Sequence, residues 1–368
     1  MKIPFLSFKK MNADVKKETL ASFEKFFESQ WYILGENVKN FEKDYAAFNH
    51  TKYCVGVANG LDALIISLKT LGIGKDDEVI VPSNTYIATW LAVSAVGAIP
   101  VPVEPKIGIY NIDPSLIEKK ITNQTKAIIP VHLFGQCCEM DEVISLAKKN
   151  NLFVVEDNAQ SQGASYNGKF AGSFGNINAT SFYPGKNLGA YGDAGAITTD
   201  DESLVLKASV IRNYGSEKKY YNEIQGMNSR LDEVQAGFLS VKLTYLNSWN
   251  NERAKIASMY SERLKNIGRI ILPQIASSAT SVFHQFVIRT KKRDDLQKFL
   301  NKNGVETLIH YPVPPHLQKA YSELNFKKGD FPIAEEIADT CLSLPIYRGL
   351  TESEIDYVCE TIKKFSDA

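Results

Sequence analysis

No sign of charge dominates this chain: Lys plus Arg and Asp plus Glu both number 42, so the formal net charge is zero. That excludes the broad electrostatic field that draws proteins to nucleic acid or anionic membranes, and any anionic ligand must be held locally. Long apolar runs are missing as well. The segment from Thr89 to Val103 is interrupted by Gly97 and Pro100, so nothing reads as a membrane span. The opening Met1-Lys2-Ile3-Pro4 lacks the apolar core of a signal peptide, and the expected location is cytoplasmic. Cysteine is scarce. Cys54, Cys137, Cys138, Cys341 and Cys359 make an odd count without zinc-type spacing, which excludes a disulfide framework and points to free buried thiols. His50, His132, His284 and His316 show no metal spacing and are read as structural. Internal repeats and low-complexity tracts are absent.

What the chain does have is enough apolar residue, 44% of 368, for one large core and a smaller domain. From about residue 50 to 215, short β-branched runs alternate with helical patterns, the signature of crossover units around a mostly parallel sheet. The expected strands are Tyr53 to Val57, Glu78 to Pro82, Ile99 to Val103, Lys126 to Val131, Leu152 to Glu156, Ala179 to Tyr183 and Gly195 to Thr199. Helices are expected after Asn59-Gly60, at Asp113-Pro114, and over Met140 to Asn150. Upstream, Asp14 to Ser29 reads as an amphipathic helix with Leu20, Phe23, Phe26 and Phe27 on one side, to lie against the main domain or a partner subunit. Leu231 to Ala257 reads as one long helix leaving the sheet domain. The boundary is expected near residue 245, with 1–245 a large α/β domain and 246–368 a small α+β domain containing a strand at Gln285 to Arg289.

Two residues carry the chemistry. Asp157 follows the strand Leu152 to Glu156, and Lys186 follows Ser181-Phe182-Tyr183, so both lie beyond the carboxyl ends of strands, where open α/β sheets bind ligands. A lysine amine forms a Schiff base with the aldehyde of pyridoxal phosphate, and an acid beside the pyridine nitrogen keeps it protonated. Taken singly, a loop lysine is usually solvated and an aspartate after a strand is often a helix cap. The glycines around Lys186, at 185, 189, 192 and 195, permit tight turns beside a bound ring. Asn59-Gly60-Leu61 turns a strand into a helix and exposes free backbone N–H groups to a phosphate, with Ser181 as a second donor. Tyr86 is placed to stack on the ring, and Gln160 to reach the ring hydroxyl.

These segments resemble the DegT/DnrJ/EryC1/StrS sugar aminotransferases, of the aspartate aminotransferase-like (type I) fold group, over nearly the whole chain. The resemblance rests on Trp31-Tyr-Ile-Leu-Gly35, Asn59-Gly-Leu-Asp-Ala-Leu64, Pro82-Ser-Asn-Thr-Tyr86, His132-Leu-Phe-Gly135, Glu156-Asp-Asn-Ala-Gln160, Ser181-Phe-Tyr-Pro-Gly-Lys186, Arg212-Asn-Tyr-Gly215 and Cys341-Leu-Ser-Leu-Pro345. It implies Lys186 as the Schiff-base lysine, Asp157 as the pyridine-nitrogen partner, and Gln160 as the ring-hydroxyl contact. Gly60, Leu61 and Ser181 would contact the phosphate, and Asn228 would reach the cofactor phosphate of the neighbouring subunit in a homodimer with shared sites. Arg230 would lie at the same boundary. Tyr183, His310 and Tyr311 are offered as neighbours of the hexose. The chain departs from the family pattern at Gln162, Tyr214 and Arg348.

The implied reaction is ping-pong transamination, with L-glutamate as donor and a nucleotide-linked keto sugar as acceptor. Lys186 serves as both cofactor anchor and proton carrier. The segments 31–35 and 59–64 look most like enzymes that aminate C-3 of dTDP-3-keto-6-deoxyhexoses, supplying deoxyamino sugars for lipopolysaccharide or other surface glycans. The rivals are a C-4 aminotransferase for 4-keto-6-deoxyhexoses and a regulatory protein that binds the cofactor without catalysis. A sugar dehydratase on the same fold would replace Lys186 by histidine.

Overall fold

The computed structural model describes residues 1–367. Strands β1 (Tyr53–Val57), β2 (Glu78–Pro82), β3 (Ile99–Val103), β4 (Thr125–Ile128) and β5 (Phe153–Asp157) come first. A small hairpin follows, β6 (Ser165–Tyr166) with β7 (Lys169–Phe170), then β8 (Ile177–Ser181) and β9 (Gly195–Thr199). Seven of these build the main sheet in the order β1-β9-β8-β5-β4-β2-β3. The β2, β3, β4, β5 and β8 pairings are parallel, whereas β9 runs against both β8 and β1. A sheet covered by helices on both faces reads as near-continuous apolar sequence, and Val79, Ile80, Val81, Ile128 and Val155 are all fully buried.

A second, two-stranded antiparallel sheet pairs β10 (Phe286–Arg289) with β11 (Cys341–Leu344). Its core contains Phe286, Ile288, Leu342 and Leu344 together with Tyr260, Leu300 and Ile362. Ile3 belongs to this same core and bridges to Val305, so the first residues of the chain pack with the last third.

Three expected elements differ in form. The stretch from Leu231 is two helices, Glu233–Leu243 and Leu246–Leu264. The break falls where the Thr244 hydroxyl donates to the Val241 carbonyl (2.8 Å) and the Tyr245 amide to that of Lys242 (3.0 Å), a tightened turn in which a side chain competes with the helix ladder. The helix opened by Asp113 has its cap, Asp113 Oδ1 accepting from Ser115 N at 3.0 Å, but runs only Pro114–Ile117 before a 3₁₀ turn. The first helix, Lys9–Ser29, buries Met11 and Val15. Its Leu20, Phe23 and Phe27 remain 58%, 44% and 66% exposed, beside exposed Trp31 and Tyr32. No helix among the described residues is long and apolar enough to cross a membrane.

Candidate active site

Strands β5 and β8 are parallel neighbours, with Asp157 opposite Ala179, so their carboxyl ends open onto the same space. Asp157 ends β5. Beyond Ser181 the chain turns tightly, the Lys186 amide donating to the Tyr183 carbonyl at 2.8 Å, and this returns Lys186 over the sheet. Both side chains line one cleft of about 810 Å³. Gly60, Leu61, Tyr86, Gln160, Ser181, Tyr183, His310 and Tyr311 line it too, so of the residues singled out from sequence only Asn228 and Arg230 lie off this chain's own cleft. Asn228 is exposed and bridges to Asn213.

The electrostatics suit imine chemistry. Burial pulls the Lys186 amine down to about 8, against a weaker opposing pull from the Asp157 charge. At pH 7 roughly a tenth of such an amine is neutral, about 300-fold more than for an ordinary lysine. Burial pushes the Asp157 carboxyl up, opposed by hydrogen bonds from the Ala159 amide and Thr89 and by Lys186. Its Oδ1 accepts from Ala159 N (3.1 Å) and its Oδ2 from Thr89 Oγ1 (3.0 Å). Thr89 has one hydroxyl proton, so once that proton is given to Asp157 the 3.1 Å contact with Thr85 must be a donation from Thr85 Oγ1. This Thr85 to Thr89 to Asp157 chain fixes the carboxylate and leaves it short of a positive partner, which a protonated pyridine nitrogen would supply.

The helix Gly60–Thr70 also begins on this cleft, against the end of β8. The Asn59 side chain accepts from Asp62 N (2.8 Å) and its carbonyl from Ala63 N (3.1 Å), so the Gly60 and Leu61 amides have no helical partner and are free for a phosphate. A Cβ on Gly60 would fall 2.5 Å from the Ser181 Cβ; only glycine lets the helix start come this close to the end of β8. The ring-edge residues are pre-positioned. Gln160 Oε1 accepts from Phe134 N (2.7 Å) and its Nε2 donates to the Tyr311 hydroxyl (3.2 Å). Tyr86 and Tyr311 have ring centroids 5.2 Å apart. An amine, a buried carboxylate, a phosphate cradle and a flanking aromatic together fit pyridoxal phosphate.

Several lining residues escaped the sequence reading: Thr85, Thr89, Asp193, Arg253 and His284. For Thr85 and Thr89 the only sequence signal is two hydroxyls four residues apart, on either side of Tyr86. His284, read as structural, lies on the cleft wall. His132 is structural as expected: its Nδ1 accepts from Cys138 N (2.9 Å), so Nε2 carries the proton toward Glu156 at 2.7 Å. Gln162 donates to the Ser181 carbonyl (2.8 Å) beneath the cradle. Arg348 joins Asp14 of the first helix to Glu252. All five cysteines are free and buried, and no metal-holding cluster occurs among the described residues.

The family model described as the DegT/DnrJ/EryC1/StrS aminotransferase family matches residues 13–363. The chain is 52% identical, over 99% of itself and 99% of the relative, to a dTDP-3-amino-3,6-dideoxy-alpha-D-galactopyranose transaminase from Aneurinibacillus thermoaerophilus. It superposes with a TM-score of 0.98 at 44% identity on DesV of S. venezuelae, solved in complex with a ketimine intermediate, covering 100% of this chain and 99% of that one. NtdA from Bacillus subtilis, solved with bound cofactor PMP, matches with a TM-score of 0.93 at 33% identity, over 100% of this chain and 86% of that one.

Proposed function

The chain belongs to the DegT/DnrJ/EryC1/StrS aminotransferase family, and on that premise we propose that it transfers an amino group from L-glutamate to C-3 of a dTDP-linked 3-keto-6-deoxyhexose. Enzymes of this family work with pyridoxal phosphate. The observation that carries the reading is the meeting of Lys186 and Asp157, from neighbouring strands, in a cleft that also holds the Gly60 and Leu61 amides.

Bound there, the cofactor supplies an aldehyde for amines and a ring that draws electrons from the donor's α-carbon while its nitrogen is protonated. Asp157 holds the proton at that nitrogen. Gly60, Leu61 and Ser181 would hold its phosphate, and Tyr86 would pack against its ring. Lys186 would anchor the cofactor through Nζ; when free of it, the amine, which burial keeps partly neutral near pH 7, could take a proton from the donor's α-carbon and give it back. Tyr183, His310 and Tyr311, which line the same cleft, receive the hexose. His310 is pulled down to about 4 by burial and then by Lys186, so it enters these contacts as a neutral ring.

The C-3 preference draws support from the 52% identical relative, whose name specifies a 3-amino sugar. A homodimer accounts for the exposed Leu20, Phe23, Phe27, Trp31 and Tyr32, an apolar patch of the kind that marks an interface. It accounts equally for Asn228, which stands outside its own cleft and is free to reach a neighbour's phosphate. We place the reaction in the cytoplasm, in the supply of deoxyamino sugars for surface glycans such as lipopolysaccharide. A purely regulatory cofactor-binding role leaves the depressed Lys186 amine and the fixed Asp157 without purpose.

The test supplies L-glutamate with either a dTDP-3-keto or a dTDP-4-keto-6-deoxyhexose and reads the product by mass spectrometry and NMR. The 3-keto sugar should become the 3-amino sugar and the 4-keto sugar should stay almost untouched without an isomerase. Efficient 4-amination would overturn the regiochemistry and leave transamination standing.

A further inference from the structure

The first residues of the chain form an arm that is tied down at one end. Ile3 is fully buried in the core of the second sheet. Its amide donates to the Gly304 carbonyl (2.8 Å) and its carbonyl accepts from the Glu306 amide (2.9 Å), a short parallel pairing beside Val305. The Phe5 amide adds a bond to Glu306 Oε2 (3.3 Å). Gly304 makes the approach possible: its φ is +79°, and a Cβ on it would fall 2.2 Å from the Met1 carbonyl oxygen. Anchored in this way, the arm carries Phe5 and Leu6 to the cleft, where both are half-buried members of the lining. The mechanism above gives neither of them a task.

The Phe5 ring lies 5.8 Å, centroid to centroid, from His310. A Cβ built on Gly185 would stand 3.6 Å from Leu6 Cδ2 and 3.5 Å from Tyr183 Cε1, so Leu6 packs over bare backbone next to Lys186, with the Tyr183 ring beside it. The arm therefore closes on the residues assigned to the hexose. Among these, His310 Nδ1 is paired with Ser343 Oγ (2.8 Å) and the Tyr311 hydroxyl accepts from Gln160 (3.2 Å). His310 Nε2 and the hydroxyls of Tyr183 and Tyr311 keep capacity for sugar oxygens. The side chains of Phe5 and Leu6 offer hydrocarbon only. A 6-deoxyhexose has one exocyclic group of that kind, the C-6 methyl, since its other substituents are oxygens. A hydroxymethyl group turned onto the same wall would give up water and gain no partner. Thymine is the other apolar part of a dTDP-sugar, but the keto carbon must reach the group that Lys186 anchors, so the hexose meets the residues next to that lysine and the base lies beyond the diphosphate.

We propose that Phe5 and Leu6 form the wall that receives the C-6 methyl group of the hexose, which makes the N-terminal arm a specificity determinant for 6-deoxy over 6-hydroxy nucleotide sugars. The assignment rests on reading the cleft as a nucleotide-sugar transamination site. The protein in its pyridoxamine phosphate form is titrated calorimetrically with dTDP-6-deoxy-D-glucose and dTDP-D-glucose, which differ by one oxygen and carry no ketone to react. The corresponding galacto pair and thymidine diphosphate alone are run beside them, and all titrations are repeated on Leu6→Asn. The unaltered protein should favour the deoxy member of at least one pair by about 10- to 100-fold, the range over which an apolar pocket rejects a hydroxyl. In Leu6→Asn the preference should shrink to about threefold or less, because the amide offers the 6-hydroxyl a partner, while thymidine diphosphate affinity stays within about twofold. A merely structural arm would weaken both members of a pair alike and leave their ratio intact. An intact ratio in Leu6→Asn, or equal binding of both members by the unaltered protein, overturns the proposal. Diffraction from unaltered crystals soaked in the dTDP-6-deoxyhexoses decides the matter if the variant does not fold: C-6 within about 4.5 Å of Phe5 or Leu6 side-chain carbons upholds it, and C-6 facing another wall refutes it. Binding of none of these nucleotide sugars would remove the function proposed above and this assignment with it, whereas 3-amination without a preference at C-6 would remove this assignment alone.

Discussion

Replacing Gly60 by alanine separates a phosphate cradle from an ordinary helix start, because the two predict opposite signs. At the first position of a solvent-facing helix the change stabilises a protein by about 0.4–1 kcal/mol, through lost freedom in the unfolded chain. Here the new methyl group would stand 2.5 Å from the Ser181 Cβ and 3.0 Å from its Cα and Oγ. Ordinary contact needs about 1 Å more, so the helix start or the end of β8 must move, at about 1–3 kcal/mol for overpacking. Net of the entropic gain, a loss of about 1–2 kcal/mol is expected, or roughly 5- to 30-fold in phosphate affinity if the strain is relieved by opening the cradle. Calorimetry of the apoprotein with pyridoxal phosphate and with phosphate-free pyridoxal reads this directly. The loss should be confined to the phosphorylated compound. A raised melting temperature with unchanged pyridoxal phosphate affinity would refute the cradle.

Asp157→Asn should keep the fold and the hydrogen bond from Thr89 while lowering turnover by about two to three orders of magnitude, as loss of one preorganised charge at a reacting centre does; near-normal turnover would reduce Asp157 to a helix cap. The rate at which apoprotein takes up pyridoxal phosphate should track neutral Lys186. Burial has lowered this amine to about 8, so the neutral form is lost as pH falls through that value, and stopped-flow absorbance should show about a tenfold slowing per pH unit below it. A flat profile between pH 6 and 8 would contradict the assignment. Asn228→Ala should weaken cofactor binding in a protein that sediments as a dimer; the same loss in a demonstrated monomer would end the shared-site model.

The main sheet was legible because each strand is a short apolar run bounded by Gly, Pro, Asn or Asp, and all seven lie within two or three residues of where the sequence puts them. Ala179 to Tyr183 ends early, at Ser181, because Phe182 and Tyr183 already belong to the turn that delivers Lys186. The helix Ile87–Ala95 escaped notice, since Ile-Ala-Thr-Trp-Leu-Ala-Val is apolar on all sides and has no period to read. Lys186 and Asp157 announced themselves by following strands directly. His284 and Arg253 reach the cleft from elements far along the chain and nothing local marks them, while Thr89 shows only its hydroxyl spacing with Thr85. Arg253 in particular reads as one more charge on a surface helix until the carbonyls of Phe283, His284 and Ile346 are seen around it. Nor does one chain reveal the destination of Asn228, which depends on a second copy.

Lys186 as the cofactor anchor is open to direct test, and the protein contains its own control. Lys242 is likewise lowered to about 8 by burial, but its Nζ donates to the Gly189 carbonyl (2.7 Å) and lies over the Tyr191 ring, and it does not line the cleft. Borohydride reduction of the pyridoxal phosphate-loaded protein, followed by peptide mapping, distinguishes the two. A single pyridoxyl adduct on the peptide containing Lys186 is the predicted result. An adduct on Lys242 or on any other lysine, with Lys186 unmodified, would contradict the account.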